Sequence, residues 1–326
     1  MVVLDPTGGV MHVQVVDLSE ITGVKDHLCY GIARTIQLAD KKAESYRSDK
    51  PLYVYFHLPA GSSQEQREKT QETLRRRYGT MAPDVVLVDK LADVPDRVPF
   101  IIGTRGASPQ VREEVKRRLD TVLDTTCPYV TSQEAGARRL LEEGYELVFC
   151  GLPEYHGLPR LQGIAKLSDK EVRVAHRPED VQQLPFKRST RIGVILQTTW
   201  HMSLSREVVG ELVSQFREVK VIDTACIDSL GRVPAARKLA EESDVVVVVD
   251  IGKVARYLEE EIEEVARRSG GANGVRVYRI QGKPELRPEW FGGAERISVI
   301  GGVNVTTQVL EDVAARIREF ATAAVP

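Results

Sequence analysis

An aspartate stands three residues before a cysteine at three nearly equidistant places in this chain. They are Asp26-His-Leu-Cys29, Asp124-Thr-Thr-Cys127 and Asp223-Thr-Ala-Cys226, with the cysteines 98 and then 99 positions apart. The last two copies share more. In the same ungapped register Ala137-Arg138-Arg139-Leu140 answers to Ala236-Arg237-Lys238-Leu239, and Glu142-Glu143 to Glu241-Glu242, after which a strand-like apolar run begins. A repeat of this length is a small domain and not a solenoid unit, so the chain reads as three related lobes. Lobes related by pseudo-threefold symmetry bring equivalent residues to one centre. Three thiols meeting there need something to hold.

Compartment and count narrow what that is. The start, Met1-Val-Val-Leu-Asp-Pro, carries an acid where a secretory segment wants bases, and no apolar run is long enough to span a membrane. A cytoplasmic protein is the expectation, and there four cysteines stay reduced, so metal binding or catalysis outranks disulfides. Zinc sites draw on close pairs such as C-x-x-C, and none is present. Iron–sulfur clusters accept scattered cysteines, and three ligands on a cubane leave its fourth iron open. Three buried core thiols are the alternative, since free cysteine is among the most buried residue types. The repeat favours the cluster. The 326 residues suffice for two or three domains, and 45 basic against 47 acidic side chains leave no global field for nucleic acid or membrane.

Short apolar runs alternate with amphipathic stretches. Strands are expected at Leu52 to Phe56, Val85 to Val88, Phe100 to Ile102, Glu146 to Phe149, Arg191 to Leu196, Val245 to Val249, Val275 to Ile280 and Ile297 to Ile300. Helices are expected between them, as at Gln64 to Arg77, Gln110 to Arg118, Ser205 to Phe216 and Val254 to Arg268. This order argues for parallel α/β layers, in which ligands gather beyond the carboxyl ends of the strands. Cys127 and Cys226 each follow a strand-like run and precede a helical pattern, where the helix dipole favours a thiolate.

Taken in order, several segments resemble those of the LytB-type 4-hydroxy-3-methylbut-2-enyl diphosphate reductases. Asp124-Thr-Thr-Cys127-Pro128-Tyr-Val-Thr131 is similar to that family's D-A-T-C-P-x-V-T, Cys29-Tyr-Gly31 to its F-C-x-G, and Gln197-Thr198-Thr199 matches its Q-T-T. Gly151-Leu-Pro153-Glu154-Tyr-His-Gly157 is similar to G-H-P-E-V-x-G, and Arg287-Pro-Glu-Trp290 also fits. The resemblance runs from about Asp26 to Phe320. It implies an α/β fold of three pseudo-symmetric lobes around a central iron–sulfur cluster cavity, with a 4Fe–4S cluster on Cys29, Cys127 and Cys226. It also implies Glu154 as proton donor and Thr198 as hydroxyl partner in the two-electron removal of an allylic hydroxyl. The lobes then run 31–126, 127–222 and 223–326, and residues 1–30 form an N-terminal segment that brings the first cysteine and a strand to the third lobe.

The departures lie at the family's diphosphate ligands. Its first histidine falls near Ala60, the second is Arg105 and the third is Leu152. Its Ser-Ser-Asn becomes Asp250-Ile-Gly-Lys253, and its late A-G-A-S becomes Gly301-Gly302-Val303-Asn304. Retained chemistry with an altered handle points to a retained reaction on a substrate other than the usual diphosphate. Arg105, Thr199, His201 and Asn304 are the candidate substrate contacts, with Lys253 a further cation. The ordinary diphosphate reductase and a non-catalytic redox sensor are the alternatives. A small-molecule substrate and an external donor, ferredoxin or flavodoxin, are expected, because no G-x-G-x-x-G nucleotide fingerprint is present. Neither nucleic acid nor membrane is an expected partner, and the chain is a monomer or homodimer. Cys150 reads as core and His12, His57 and His176 as having no chemical role; His27 and His156 stand nearer the chemistry, with surface or hydrogen-bonding roles.

Overall fold

The structure is a computed structural model that describes residues 2–4, 10–19, 24, 27–42, 47, 49–56, 64–79, 81–119, 121–199, 202–250, 253–268, 274–303 and 305–323. The chain divides into two compact units, one of residues 1–30 with 226–326 and one of residues 31–225. The first unit opens with strands β1 (Val2–Leu4) and β2 (Val10–Val15), and helix α1 (Tyr30–Lys42) starts at its boundary.

The second unit carries two four-stranded parallel sheets. The first is built from β3 (Leu52–Tyr55), β4 (Val85–Val88), β5 (Pro99–Ile102) and β6 (Thr121–Asp124), with α2 (Gln64–Tyr78) and α3 (Pro109–Arg118) in the connections. Its spatial order is β4-β3-β5-β6. Alternate residues of these strands face opposite ways, as the period of two requires. Leu52, Val54 and Ile101 pack with Leu74 and Tyr78 of α2. Tyr55, Phe100 and Ile102 pack with Val115 of α3. Then come α4 (Pro128–Glu142), β7 (Glu146–Cys150), α5 (Leu158–Lys166), β8 (Val172–Ala175), α6 (Pro178–Val181), β9 (Arg191–Leu196), α7 (Met202–Gln215) and β10 (Glu218–Ile222). These strands lie in the order β8-β7-β9-β10, the same pattern as the first sheet. Leu147, Phe149 and Ile195 pack with Leu140 of α4 and Leu161 of α5.

The chain then returns to the first unit with α8 (Ile227–Glu242), β11 (Val245–Val249), α9 (Lys253–Arg268), β12 (Arg276–Ile280), β13 (Arg296–Gly301) and α10 (Thr307–Ala323). The sheet order is β12-β11-β13-β2-β1, so β2 occupies the place that β6 and β10 hold in the other two sheets. It pairs parallel to β13, with His12 opposite Arg296 and Val15 opposite Val299, and β1 adds an antiparallel edge. All five valines of β11 are fully buried, as a central parallel strand covered on both faces requires. Val245, Val247 and Val249 pack with Leu310, Val313 and Ile317 of α10, whereas Val246 and Val248 pack with Leu239 of α8 and Leu258 and Ile262 of α9.

The protein is therefore α/β with three sheets of one topology. In each sheet the fourth strand leads to a cysteine and then a helix: β2 to Cys29 and α1, β6 to Cys127 and α4, β10 to Cys226 and α8.

Candidate functional site

In the second and third copies the recurring aspartate and its neighbour have physical work to do before the helix, while Asp26 of the first copy lies outside the described residues. Asp124 Oδ1 accepts from the amide of Thr126 at 2.9 Å, and Asp223 Oδ1 accepts from the amide of Ala225 at 2.9 Å. Both are Asx turns, which end the strand and aim the chain at the cysteine. The following threonine reaches sideways. Thr125 Oγ1 donates to the carbonyl of Ile102, the last residue of β5, at 2.8 Å, and Thr224 Oγ1 donates to that of Leu196, the last of β9. In the first copy this position is His27, which is buried, with Nε2 3.2 Å from the carbonyl and 3.1 Å from the amide of Gly301, the last residue of β13. One ring nitrogen either donates or accepts, so the tautomer selects between the two. His27 thus occupies the threonine's structural place. The cysteine amides follow suit: Cys127 donates to Thr104 and Cys29 to Val303, each at 3.0 Å.

Six residues after each cysteine a buried polar side chain closes the same region. These are Thr35, Gln133 and Arg232. Gln133 Nε2 donates to the Leu196 carbonyl at 2.8 Å, and Arg232 Nη1 to the Gly301 carbonyl at 2.9 Å. Thr35 Oγ1 donates to Gly31 at 2.9 Å. Sequence reasoning missed all three, although a polar residue at one offset from every cysteine was a signal that could have found them.

In the second unit several candidate residues lie beyond the carboxyl ends of the strands. The loop after β7 carries Glu154, which is exposed, and the turn after β9 carries Thr198, which is buried, and Thr199, which is half-buried. Gln197 ties loop to turn. Its Oε1 accepts from the amide of Leu152 at 2.9 Å and its Nε2 donates to the carbonyl of Thr199 at 2.7 Å. A second tie comes from Tyr155, whose hydroxyl lies 2.9 Å from Thr198 Oγ1. Its ring stacks on Phe149 at 5.3 Å and meets the ring of His156 at 4.5 Å. Gly157 is glycine because an added Cβ would sit 2.3 Å from Tyr155 Cε1 and 2.6 Å from Arg160 Nη2.

Two arginines flank Tyr155. Arg105, half-buried after β5, lays its guanidinium 4.5 Å from the centre of the Phe56 ring. Burial pushes its pKa down to about 10, against the opposing influence of the Tyr155 phenol, so it is a cation at neutral pH. Arg160 is buried and donates from Nη1 to Glu134 at 2.6 Å, while its Nε and Nη2 have no hydrogen-bond partner among the described residues. Neither Tyr155 nor Arg160 was singled out from the sequence. Tyr155 replaces the valine of the G-H-P-E-V-x-G pattern, and that departure was its only signal.

In the first unit Cys29 is half-buried and Cys226 is buried, and neither is in a disulfide. Asp250, after β11, has a φ of 110°, a strained value for a residue with a side chain. Gly302 packs against it, since a Cβ there would meet Asp250 Oδ2 at 2.4 Å. His201, Asn304, His57 and Ala60 lie outside the described residues, as does the side chain of Lys253. Cys127, in the second unit, is half-buried and not in a disulfide. Among the described residues no three His, Cys, Asp or Glu side chains form a group ready to hold a metal. Cys150 is fully buried, and burial pushes its thiol up to about 12, in keeping with a core residue. His12 is exposed on β2 and His176 is half-buried, bonding through its amide to Asp180 at 2.7 Å. No helix among the described residues is long and apolar enough to cross a membrane.

The fold places the protein in a class. It matches a solved (E)-4-hydroxy-3-methyl-but-2-enyl diphosphate reductase with a TM-score of 0.62 at 24% identity, covering 94% of this chain and 99% of that one. A second solved reductase, from Plasmodium falciparum, matches with a TM-score of 0.73 at 17% identity, over 92% of this chain and 86% of that one. These likenesses establish the three-sheet α/β architecture. The LytB protein family matches residues 24–318, and the chain belongs to that family of reductases. Similar relatives include 4-hydroxy-3-methylbut-2-enyl diphosphate reductases from Anaeromyxobacter sp. (32% identical, 71% of this chain and 77% of the relative) and Aquifex aeolicus (28%, covering 90% and 93%). Another, from Methylibium petroleiphilum, is 27% identical over 91% of this chain and 84% of its own. Their shared name favours the ordinary diphosphate substrate over the altered one expected above.

Proposed function

We propose that the protein is a 4Fe–4S reductase that removes the hydroxyl of a small allylic alcohol. Two electrons and two protons enter, a C–H bond replaces the C–O bond, and the oxygen leaves as water. The observation that carries this reading is the threefold recurrence of a cysteine, outside any disulfide, between a fourth strand and a helix start. The donor set suits the group: soft thiols, helix N-termini that favour thiolate, and a buried Arg232 Nε–H without a partner among the described residues. When bound on Cys29, Cys127 and Cys226, such a cluster supplies one-electron transfer and an open iron acting as a Lewis acid.

The protein's own groups handle the proton. Hydroxide leaves poorly, so a positioned acid must protonate the departing oxygen, and the Glu154 carboxyl is the candidate. Thr198 Oγ1 can accept from one neighbour while donating to the other, which orients the substrate hydroxyl against that acid. Gln197 and Tyr155 fix the two segments that carry Glu154 and Thr198. The electrons come from an external one-electron donor, ferredoxin or flavodoxin.

The relatives' name makes 4-hydroxy-3-methylbut-2-enyl diphosphate the first substrate to test. A second reading, a different anionic allylic alcohol, is favoured by Arg105, Leu152 and Asp250 standing where the family pattern has diphosphate ligands. The assay is anaerobic reduction with product analysis. Conversion to isopentenyl and dimethylallyl diphosphates supports the ordinary reductase. An iron-loaded protein that ignores that compound but reduces an allylic alcohol bearing another anion supports the second reading. Loaded protein that reduces neither overturns both and leaves the redox sensor.

A further inference from the structure

Arg232 is the largest fully buried side chain among the described residues, with 0% of its surface exposed. Taking a guanidinium out of water costs several kcal/mol, so it must be held by partners. Nη1 donates to the carbonyl of Gly301 at 2.9 Å, and Nη2 to the carbonyl of His27 at 2.5 Å and to Asp228 Oδ1 at 3.3 Å. The other oxygen of Asp228 accepts the amide of Tyr30 at 3.0 Å. His27 and Tyr30 bracket Cys29, while Asp228 and Arg232 lie in the first turns of the helix that begins after Cys226. One buried ion pair therefore ties the Cys29 loop to the Cys226 helix.

Two observations extend this beyond packing. The Nε–H has no hydrogen-bond partner among the described residues. The guanidinium also lies within the field of both thiols: burial pulls its pKa down, while Asp228, Cys29 and Cys226 push it up. A buried donor left over beside two sulfur groups fits an acceptor that arrives later and carries negative charge. The equivalent positions, Thr35 and Gln133, are buried but uncharged, so this charge belongs to one side of a threefold pattern.

We infer that Arg232, paired with Asp228, is a positioning residue that holds Cys29 and Cys226 as one pair of sulfur ligands and donates from Nε to bound sulfur, making the cluster easier to reduce. The inference rests on the cluster reading above. A positive charge and an N–H donor both stabilise the extra electron, so their loss shifts the reduction potential downward.

The test compares Arg232→Gln, which copies the residue of the second repeat, with Arg232→Lys, which restores the charge. Circular dichroism checks the fold. If Arg232→Gln does not fold, Arg232→Gln/Asp228→Asn replaces it and leaves no lone buried carboxylate. In iron-free full-length protein carrying Cys127→Ser and Cys150→Ser, a dithiol-specific arsenical should bridge Cys29 and Cys226, and Arg232→Gln should weaken that bridging. In reconstituted protein with all its cysteines, iron affinity measured against a chelator should fall roughly 10–100-fold in Arg232→Gln. Its midpoint potential, followed by electron paramagnetic resonance, should move downward, and Arg232→Lys should return most of the way. Folded Arg232→Gln with unchanged bridging and unchanged potential overturns the inference. Wild-type protein that takes up no iron defeats the cluster reading separately, and the bridging comparison then decides alone whether Arg232 holds the pair.

Discussion

Tyr155 and Thr198 meet hydroxyl to hydroxyl at 2.9 Å, both buried, one residue along from the exposed carboxyl of Glu154. A hydroxyl bonded to a phenol has one rotor position favoured over the rest, so in the proposed role Thr198 would meet a substrate in a preset orientation. At this scale the three residues should separate cleanly. Glu154→Gln keeps size and removes the transferable proton; turnover should fall about tenfold or more, within the reach of general-acid effects. Thr198→Val should cost less, because orientation is lost and the proton is kept. Tyr155→Phe keeps the ring stack on Phe149 and should cost about 1 kcal/mol of stability from the lost hydrogen bond, with a modest rate loss. Combined with Thr198→Val, it should add little, since the two share one bond. Turnover at equal iron content, with thermal unfolding in parallel, reads all of these. Wild-type turnover in Glu154→Gln would remove it as the acid.

Among the elements, the first two strands hold most interest. The N-terminal segment was expected to bring a strand to the third lobe, though without bounds for it; β2, with His12 and Gln14 between apolar residues, pairs with β13 in the sheet of the first unit. Most other strands were legible because each is a short apolar run between turn residues, with observed ends differing by a residue or two, as at Tyr55 and Cys150, whereas β1 and β8 were not among those expected. The bounds of β2 were not legible, because so short an alternation looks like ordinary loop sequence until its partner is known. Deleting residues 1–16 should expose the β13 edge, with Ile297 and Val299 behind it. Size-exclusion chromatography should show association of the truncated chain and circular dichroism a lower unfolding temperature. A truncated chain that stays monomeric at unchanged stability would mean the edge needs no cover.

For the whole molecule, the decisive quantity is iron. Cys29→Ser, Cys127→Ser and Cys226→Ser should each lose most of the iron of anaerobically reconstituted protein, whereas Cys150→Ser should load fully. Cys150 sits fully buried at the end of β7, and its raised pKa keeps it a thiol. Iron and acid-labile sulfide, with the thiolate-to-iron absorption band, report the outcome. Full loading in any of the first three, or loss in Cys150→Ser, would break the three-ligand assignment.

The spacing of Asp-x-x-Cys was enough to foretell related lobes, because a sheet topology used three times must return its loops at equal intervals. Apolar runs and helical patterns likewise foretold parallel layers, since local periodicity reflects which faces are buried. The family followed from short motifs in a fixed order. Tertiary structure decided the rest. That His27 stands in for a threonine, that Gln197 bridges two loops, and that Asp228 and Arg232 clamp the Cys29 loop all depend on partners 45 to 274 residues away. Such pairings are set by how strands cross over, and no local pattern records them. Burial decides the charged ones: an arginine in sequence is a surface cation by default, and only the packed fold turns Arg232 into an enclosed one with an N–H to spare.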